Sequence, residues 1–225
     1  MKYKKTLLSL ITIIILLTFT YINESKANKS YLLDEIPEYS NQEYVTINNN
    51  EPNFNIEEYD DKSFEKYSNH DILGRSGVAS ANIGIDLMPT EERDSIGMVK
   101  PSGWHTVKYD NISGKYLYNR CHLIGFQLTG ENANEQNLIT CTRQANTGIM
   151  LKYENLVANY IKETKNHVLY RVTPIYEDRN LVASGIQMEA YSVEDKGEGI
   201  QFNIYIYNVQ DGIEINYKNG ESKKK

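Results

Sequence analysis

The residues from Tyr116 to Lys162 read YLYNRCHLIGFQLTGENANEQNLITCTRQANTGIMLKYENLVANYIK, and the fold class turns on them. They open on an apolar and aromatic run, Tyr116-Leu117-Tyr118, that ends in Asn119-Arg120-Cys121-His122. A polar loop rich in Asn, Glu and Gly follows from Thr129 to Gln136, and then a second short strand, Asn137-Leu138-Ile139-Thr140. Ile149, Met150, Tyr153, Leu156, Val157, Tyr160 and Ile161 recur at three- and four-residue spacing, which predicts a helix over 143–162 with one apolar stripe. Thr142 stands where an N-cap hydroxyl would accept an orphan backbone N–H. The unit reads as strand, loop, strand, helix.

Asn146 precedes Ile149 and Met150 by three and four residues, so it shares the stripe that faces the strands. A carboxamide there needs partners, because burying one unpaired costs about 1–3 kcal/mol. Glu154 lies two turns further on, about 80° round an α-helix from Asn146. With His122 ending the first strand, an imidazole, an amide oxygen and a carboxylate converge between strands and helix. Oxygen donors of this kind suit a hard divalent cation, and a neutral imidazole beside them can take a proton from water. The constellation points to metal-assisted hydrolysis.

The run Asn119-Arg120-Cys121-His122 resembles the Asp-Arg-Gly-His motif of the DNA/RNA non-specific endonucleases, which carry the ββα-metal (His-Me finger) fold. The likeness is greatest to the secreted nucleases and DNA-entry nucleases of Gram-positive bacteria. Asn137 falls nine positions before Asn146 and Glu154 eight after it, matching that family's spacing, and the likeness extends from Tyr44 to Tyr217. Two positions depart from the motif. Asn119 replaces an aspartate, which drops a negative charge, and Cys121 replaces a glycine, which would strain the backbone if φ were positive there.

The resemblance implies an α+β fold, an antiparallel sheet carrying a ββα-metal catalytic unit. It implies His122 as general base, Asn146 as the single protein ligand of Mg²⁺ (Mn²⁺ being a substitute), and Glu154 as the holder of metal-bound waters. Arg120 would clamp the phosphate, Asn137 would orient the site, and Arg93 and Arg143 would contact substrate. The expected reaction is sequence-non-specific hydrolysis of DNA, with RNA a second candidate, by in-line attack of water that leaves 5′-phosphate ends. Base readout is not expected, since backbone contacts carry no sequence information.

Before this unit, Lys2, Lys4 and Lys5 precede an apolar run from Leu7 to Ile22, and Ser25-Lys26-Ala27 offers small residues for cleavage. Residues 1–27 therefore read as a secretory signal peptide, with an uncleaved membrane anchor as the alternative. Cleavage would leave an extracellular protein without stable membrane association. From Asn28 onward 20 Lys+Arg (24 less Lys2, Lys4, Lys5 and Lys26) face 29 Asp+Glu (30 less Glu24), a balance of −9. Such a balance disfavours long-range attraction of a polyanion. Residues 100–171 alone are positive, with nine basic and five acidic residues, so nucleic-acid contact is expected to be local and to lean on the metal.

Residues 28–42 read as a polar acidic tail, 43–218 as the nuclease domain and 219–225, ending in three lysines, as a frayed basic tail. Glu43–Ile47, Gly77–Gly84 and Trp104–Tyr109 read as strands, and Ile56–Tyr67 as a short acidic helix. His167–Thr173, Leu181–Tyr191 and Phe202–Val209 alternate as an antiparallel meander covered by the helix. Cys121 and Cys141 fit either a disulfide between adjacent strands or two buried thiols. A zinc site lacks paired close spacing, and a cysteine nucleophile lacks a separate base. Two other classes stay open. One is a secreted nucleic-acid-binding module silenced by Asn119 and Cys121, and the other is a toxin effector with an inhibitor partner. Oligomeric state leaves no trace in the sequence.

Overall fold

The computed structural model describes residues 36–55 and 62–225. Residue contacts divide the chain into a unit spanning 1–39 and one spanning 40–225. Of the first, residues 36–39 are described and form no helix or strand; the signal-peptide reading and most of the acidic tail lie outside the described residues. No described helix is long and apolar enough to cross a membrane.

In the second unit, six antiparallel strands form one sheet: β1 (Tyr44–Thr46), β2 (Phe64–Tyr67), β3 (Ala79–Ile83), β6 (Val168–Ile175), β7 (Gly185–Ser192) and β8 (Gln201–Tyr207). Their order is β1-β8-β7-β6-β3-β2, so the meander β6-β7-β8 sits at the centre. Side chains alternate across a pleated strand. Ala79, Ala81 and Ile83, then Val168, Tyr170 and Val172, then Ile186, Met188 and Ala190, then Phe202, Ile204 and Ile206 line one face and are buried together. The opposite face carries polar pairs. Arg171 forks onto Glu189 at 2.7 and 2.9 Å, and Gln187 donates to Asn203 at 2.9 Å. Residues 51–53 lie across those pairs, Asn53 N–H donating to Glu189 and Asn203 donating to the Glu51 carbonyl, both at 2.8 Å.

The apolar face is covered by the strand–loop–strand–helix unit. Strand β4 (Tyr118–His122) pairs antiparallel with β5 (Leu138–Thr142), and a short α1 (Phe126–Thr129) lies between them. Helical structure then runs as α2 (Arg143–Ala145), a π-helical turn (Asn146–Met150) and α3 (Leu151–Thr164). The Thr142 hydroxyl caps it, accepting from Ala145 N–H at 3.1 Å. The π turn falls where Thr147 turns its hydroxyl back to the Arg143 carbonyl and Gly148 weakens helix propensity, two local causes of a break in the α ladder. Ile149, Met150, Val157, Ala158 and Ile161 face the sheet. The buried Asn208 fastens β5 to the sheet, accepting from Thr142 N–H and donating to the Ala183 carbonyl, both at 2.8 Å.

Four expectations change. Phe64–Tyr67 is strand β2 paired with β3, not helix; residues 56–61 of that reading lie outside the described residues. Trp104–Tyr109 forms no strand beyond a bridge from Lys108 to Tyr116, because Trp104, Val107 and Tyr109 spend their apolar faces on a small cluster with Ile112, Leu117, Tyr118 and Ile213. Leu156 is 45% exposed, off the buried stripe. The closing lysines are not frayed, since β10 (Glu221–Lys224) pairs with β9 (Ile213–Asn216) and Lys225 N–H donates to the Gly212 carbonyl at 3.0 Å.

Candidate active site

His122 closes β4 and is 6% exposed. Its Nε2 lies 2.7 Å from the Asn132 carbonyl oxygen. A carbonyl has no proton to give, so Nε2 is the protonated nitrogen and Nδ1 keeps the lone pair. Arg93 donates to that Nδ1 at 3.3 Å. Burial lowers the imidazole pKa to about 4; the Asn132 carbonyl opposes the shift and the Arg93 charge adds to it. The ring is thus neutral through the physiological range, with a basic nitrogen of defined position.

What holds the ring is the turn after it. Asn137, wholly buried, accepts from Ile124 N–H through its side chain at 2.9 Å and donates back to the Ile124 carbonyl at 3.0 Å, while Leu123 N–H donates to the Asn137 carbonyl at 2.8 Å. These three bonds tie residues 123–124 to the start of β5. Asn137 thus fixes the turn that follows His122, and it ends a 3₁₀ turn (Glu135–Asn137) rather than opening the strand.

Glu154 reaches the same turn from α3. A Cβ built on Gly125 would stand 2.6 Å from its Oε2, so the carboxyl rests directly on the Gly125 backbone. The residue is half-buried as a whole, yet this contact puts the carboxyl at its buried end. Burial raises its pKa to about 8, with the Gln127 amide and the Arg93 guanidinium pulling the other way. Arg93 therefore acts on both the base and the carboxyl.

Asn146 opens the π turn, half-buried, and no side-chain hydrogen bond engages its carboxamide among the described residues. An unengaged amide oxygen and a dehydrated carboxyl on one helix are hard oxygen donors, a set that fits a cation such as Mg²⁺ that keeps most of its waters. Among the described residues no three His, Cys, Asp or Glu gather as a metal cage.

Arg120 and Arg143 make other contacts in the free chain. The Arg120 guanidinium stacks on Trp104 at 3.9 Å from the ring centre, donates to the Val99 carbonyl, and donates to the Gly97 carbonyl at 2.8 Å. Those donors serve the main chain of 97–99. Arg143 lies over Gly114, its Cζ 3.1 Å from where a Cβ there would be. The Cys121–Cys141 pair is a disulfide with a Cα–Cα distance of 5.8 Å. Cys121 keeps a negative φ within β4, so the replacement of glycine brings no strain. The Asn132 carbonyl and Gly125 were not legible beforehand. Every residue carries a carbonyl, and nothing local marks Gly125 as the seat of a carboxyl 29 residues away.

A cavity of about 300 Å³ opens beside Asn132, walled by Pro89, Glu91, Glu92, Asp94, Phe126 and Thr129. A larger one, about 580 Å³, lies against the β9–β10 hairpin, and none of the candidate residues lines it. None of the candidate residues lines the smaller cavity either; its link to them is Asn132, whose carbonyl orients His122.

The DNA/RNA non-specific endonuclease family matches residues 54–194. The structure is similar to NucA from Streptococcus agalactiae with magnesium ion bound, at 26% identity and a TM-score of 0.74 over 88% of this chain and 96% of that one. It is similar to the same protein with no metal bound, at 27% identity and a TM-score of 0.75 over 88% and 95%. Sda1 nuclease with bound zinc ion shares the fold at 24% identity, with a TM-score of 0.67 over 81% and 97%.

Proposed function

The chain belongs to the DNA/RNA non-specific endonuclease family and is a metal-dependent hydrolase of nucleic acid, and from that premise we propose an exported, Mg²⁺-dependent enzyme that cleaves DNA, with RNA a second candidate substrate, to 5′-phosphate ends. One observation carries the mechanism: the Asn132 carbonyl holds Nε2–H, which leaves the His122 Nδ1 lone pair as base. His122 accepts a proton at Nδ1 from the attacking water. Arg93, which donates to that nitrogen at 3.3 Å in the free protein, would turn to the phosphate once substrate is bound, freeing the lone pair and offsetting the growing charge. Asn146 would hold Mg²⁺ as its protein ligand, and Glu154 would hold the waters of that ion. When bound, the ion supplies a Lewis acid that polarises the phosphate and stabilises the departing oxygen. Asn137 fixes the turn that carries the base, and Arg120 holds 97–104 against β4, a positioning task in place of the phosphate clamp.

The magnesium in the NucA structure supports Mg²⁺ as the native ion. Export rests on residues 1–27 as a signal peptide. The catalytic domain of this reading begins near residue 43 and runs through β10.

Incubated with supercoiled plasmid and Mg²⁺, the purified protein should yield nicked and then linear and smeared DNA, with no product once EDTA is added. His122→Ala should lower the rate by about 10²–10⁴-fold, the usual share of a general base, and Asn146→Ala should abolish Mg²⁺ dependence along with activity. Retarded bands without cleavage, or undiminished cutting by His122→Ala, would overturn the reading.

A further inference from the structure

Tyr170 stands in β6, fully buried, on the sheet face that meets the helix. Its register neighbours on either side are Ala81 and Ala190, so the phenol rises between two of the smallest side chains. Its hydroxyl has no hydrogen-bond partner among the described residues. A dehydrated O–H without a partner weakens the fold, and phenylalanine would fill the same space without that defect. The hydroxyl therefore calls for an explanation outside packing.

The facing stripe of the helix supplies one. Met150, Glu154, Val157, Ala158 and Ile161 fall at three- and four-residue spacing, and the four apolar members are buried in the same core as Tyr170. Glu154 is the one ionisable group in that stripe, its carboxyl seated on Gly125. The two groups also sense each other, since the Glu154 charge opposes ionisation of the phenol, which burial already holds well above its ordinary range.

We propose that the Tyr170 hydroxyl is a positioning group for Glu154, donating towards its carboxylate across one water and so fixing it towards the cation site. This rests on the reading of Glu154 as holder of metal-bound water. A carboxylate that must aim at water on an ion is held in place by a donor behind it, and outer partners of this kind carry about 10–100-fold in metal affinity or activity.

The test compares wild type, Tyr170→Phe and Glu154→Gln. Mn²⁺ binding is followed by electron paramagnetic resonance without nucleic acid, melting is followed without metal, and kcat and KM are measured on plasmid with Mg²⁺. Tyr170→Phe should melt no lower than wild type, bind Mn²⁺ about 10-fold more weakly, and lose kcat with KM unchanged. If it binds and cleaves as wild type while Glu154→Gln is impaired, the inference fails and the reading of Glu154 stands. If Tyr170→Phe melts lower with Mn²⁺ affinity unchanged, the phenol is packing alone and the inference again fails. If Glu154→Gln binds Mn²⁺ as tightly as wild type, both fall.

Discussion

Burial acts in opposite senses on the two titratable groups at this site. It lowers the pKa of His122 to about 4, which keeps the ring neutral, and it raises that of the metal-free Glu154 carboxyl to about 8. Each is the response of a group whose charged form loses water. Gly125 is the residue on which the second depends, because any side chain there displaces the carboxyl. Its φ is not in the left-handed region, so the demand for glycine comes from space and not from backbone conformation. Gly125→Ala should leave a folded protein whose Mg²⁺-dependent plasmid cleavage falls about 10–100-fold, the cost of disturbing a second layer of metal support. Wild-type cleavage by that variant would show that Glu154 need not rest where it does.

Between elements, the disulfide and the helix carry most of the information. The Cys121–Cys141 bridge joins β4 to β5 one residue from the base, across a sequence separation of 20. Closing a loop of that size is worth about 3 kcal/mol through the unfolded chain. Cys121→Ser with Cys141→Ser should shift the urea midpoint down by that free energy while far-ultraviolet dichroism stays native, since five registered pairs still join the strands. The helix was readable from its period and its Thr142 cap, but its phase was not. In an unbroken α-helix Asn146 and Glu154 stand about 80° apart. The π turn absorbs one residue, about 100° of rotation, and brings them to within about 20° of one face. Leu156, one step from Val157, falls outside the stripe for the same reason of phase.

For the molecule as a whole, the two shifted groups set how metal-free stability depends on pH. His122 is depressed below its unfolded value of 6.5, so its contribution is present above that pH and lost as pH falls towards about 4. Glu154 is raised above its unfolded 4.5, so its contribution is present below that pH and lost as pH rises towards about 8. Between pH 6.5 and 8 only the second changes. The wild-type melting temperature in EDTA should therefore decline across that window, and Glu154→Gln should flatten the decline. A wild-type curve that rises there would contradict the burial of this carboxyl. The central meander and the order strand, loop, strand, helix were legible because period-2 and period-3.6 patterns report which face is buried. The same logic misled at Trp104–Tyr109, where alternation serves a small cluster and no ladder. It was silent on β10, whose lysines pair through main-chain groups that every residue possesses.

The sequence by itself determined the kind of chemistry. An imidazole ends a strand, an amide and a carboxylate ride the following helix, and their spacing matches a nuclease family. Only the tertiary structure decided which nitrogen of His122 carries the proton, that Arg93 and not Arg120 stands beside the ring, that Glu154 lies on Gly125, and that the Tyr170 hydroxyl is buried without a partner among the described residues. Those contacts join residues distant along the chain through backbone carbonyls and missing side chains. Neither leaves a periodic trace, so packing alone reveals them.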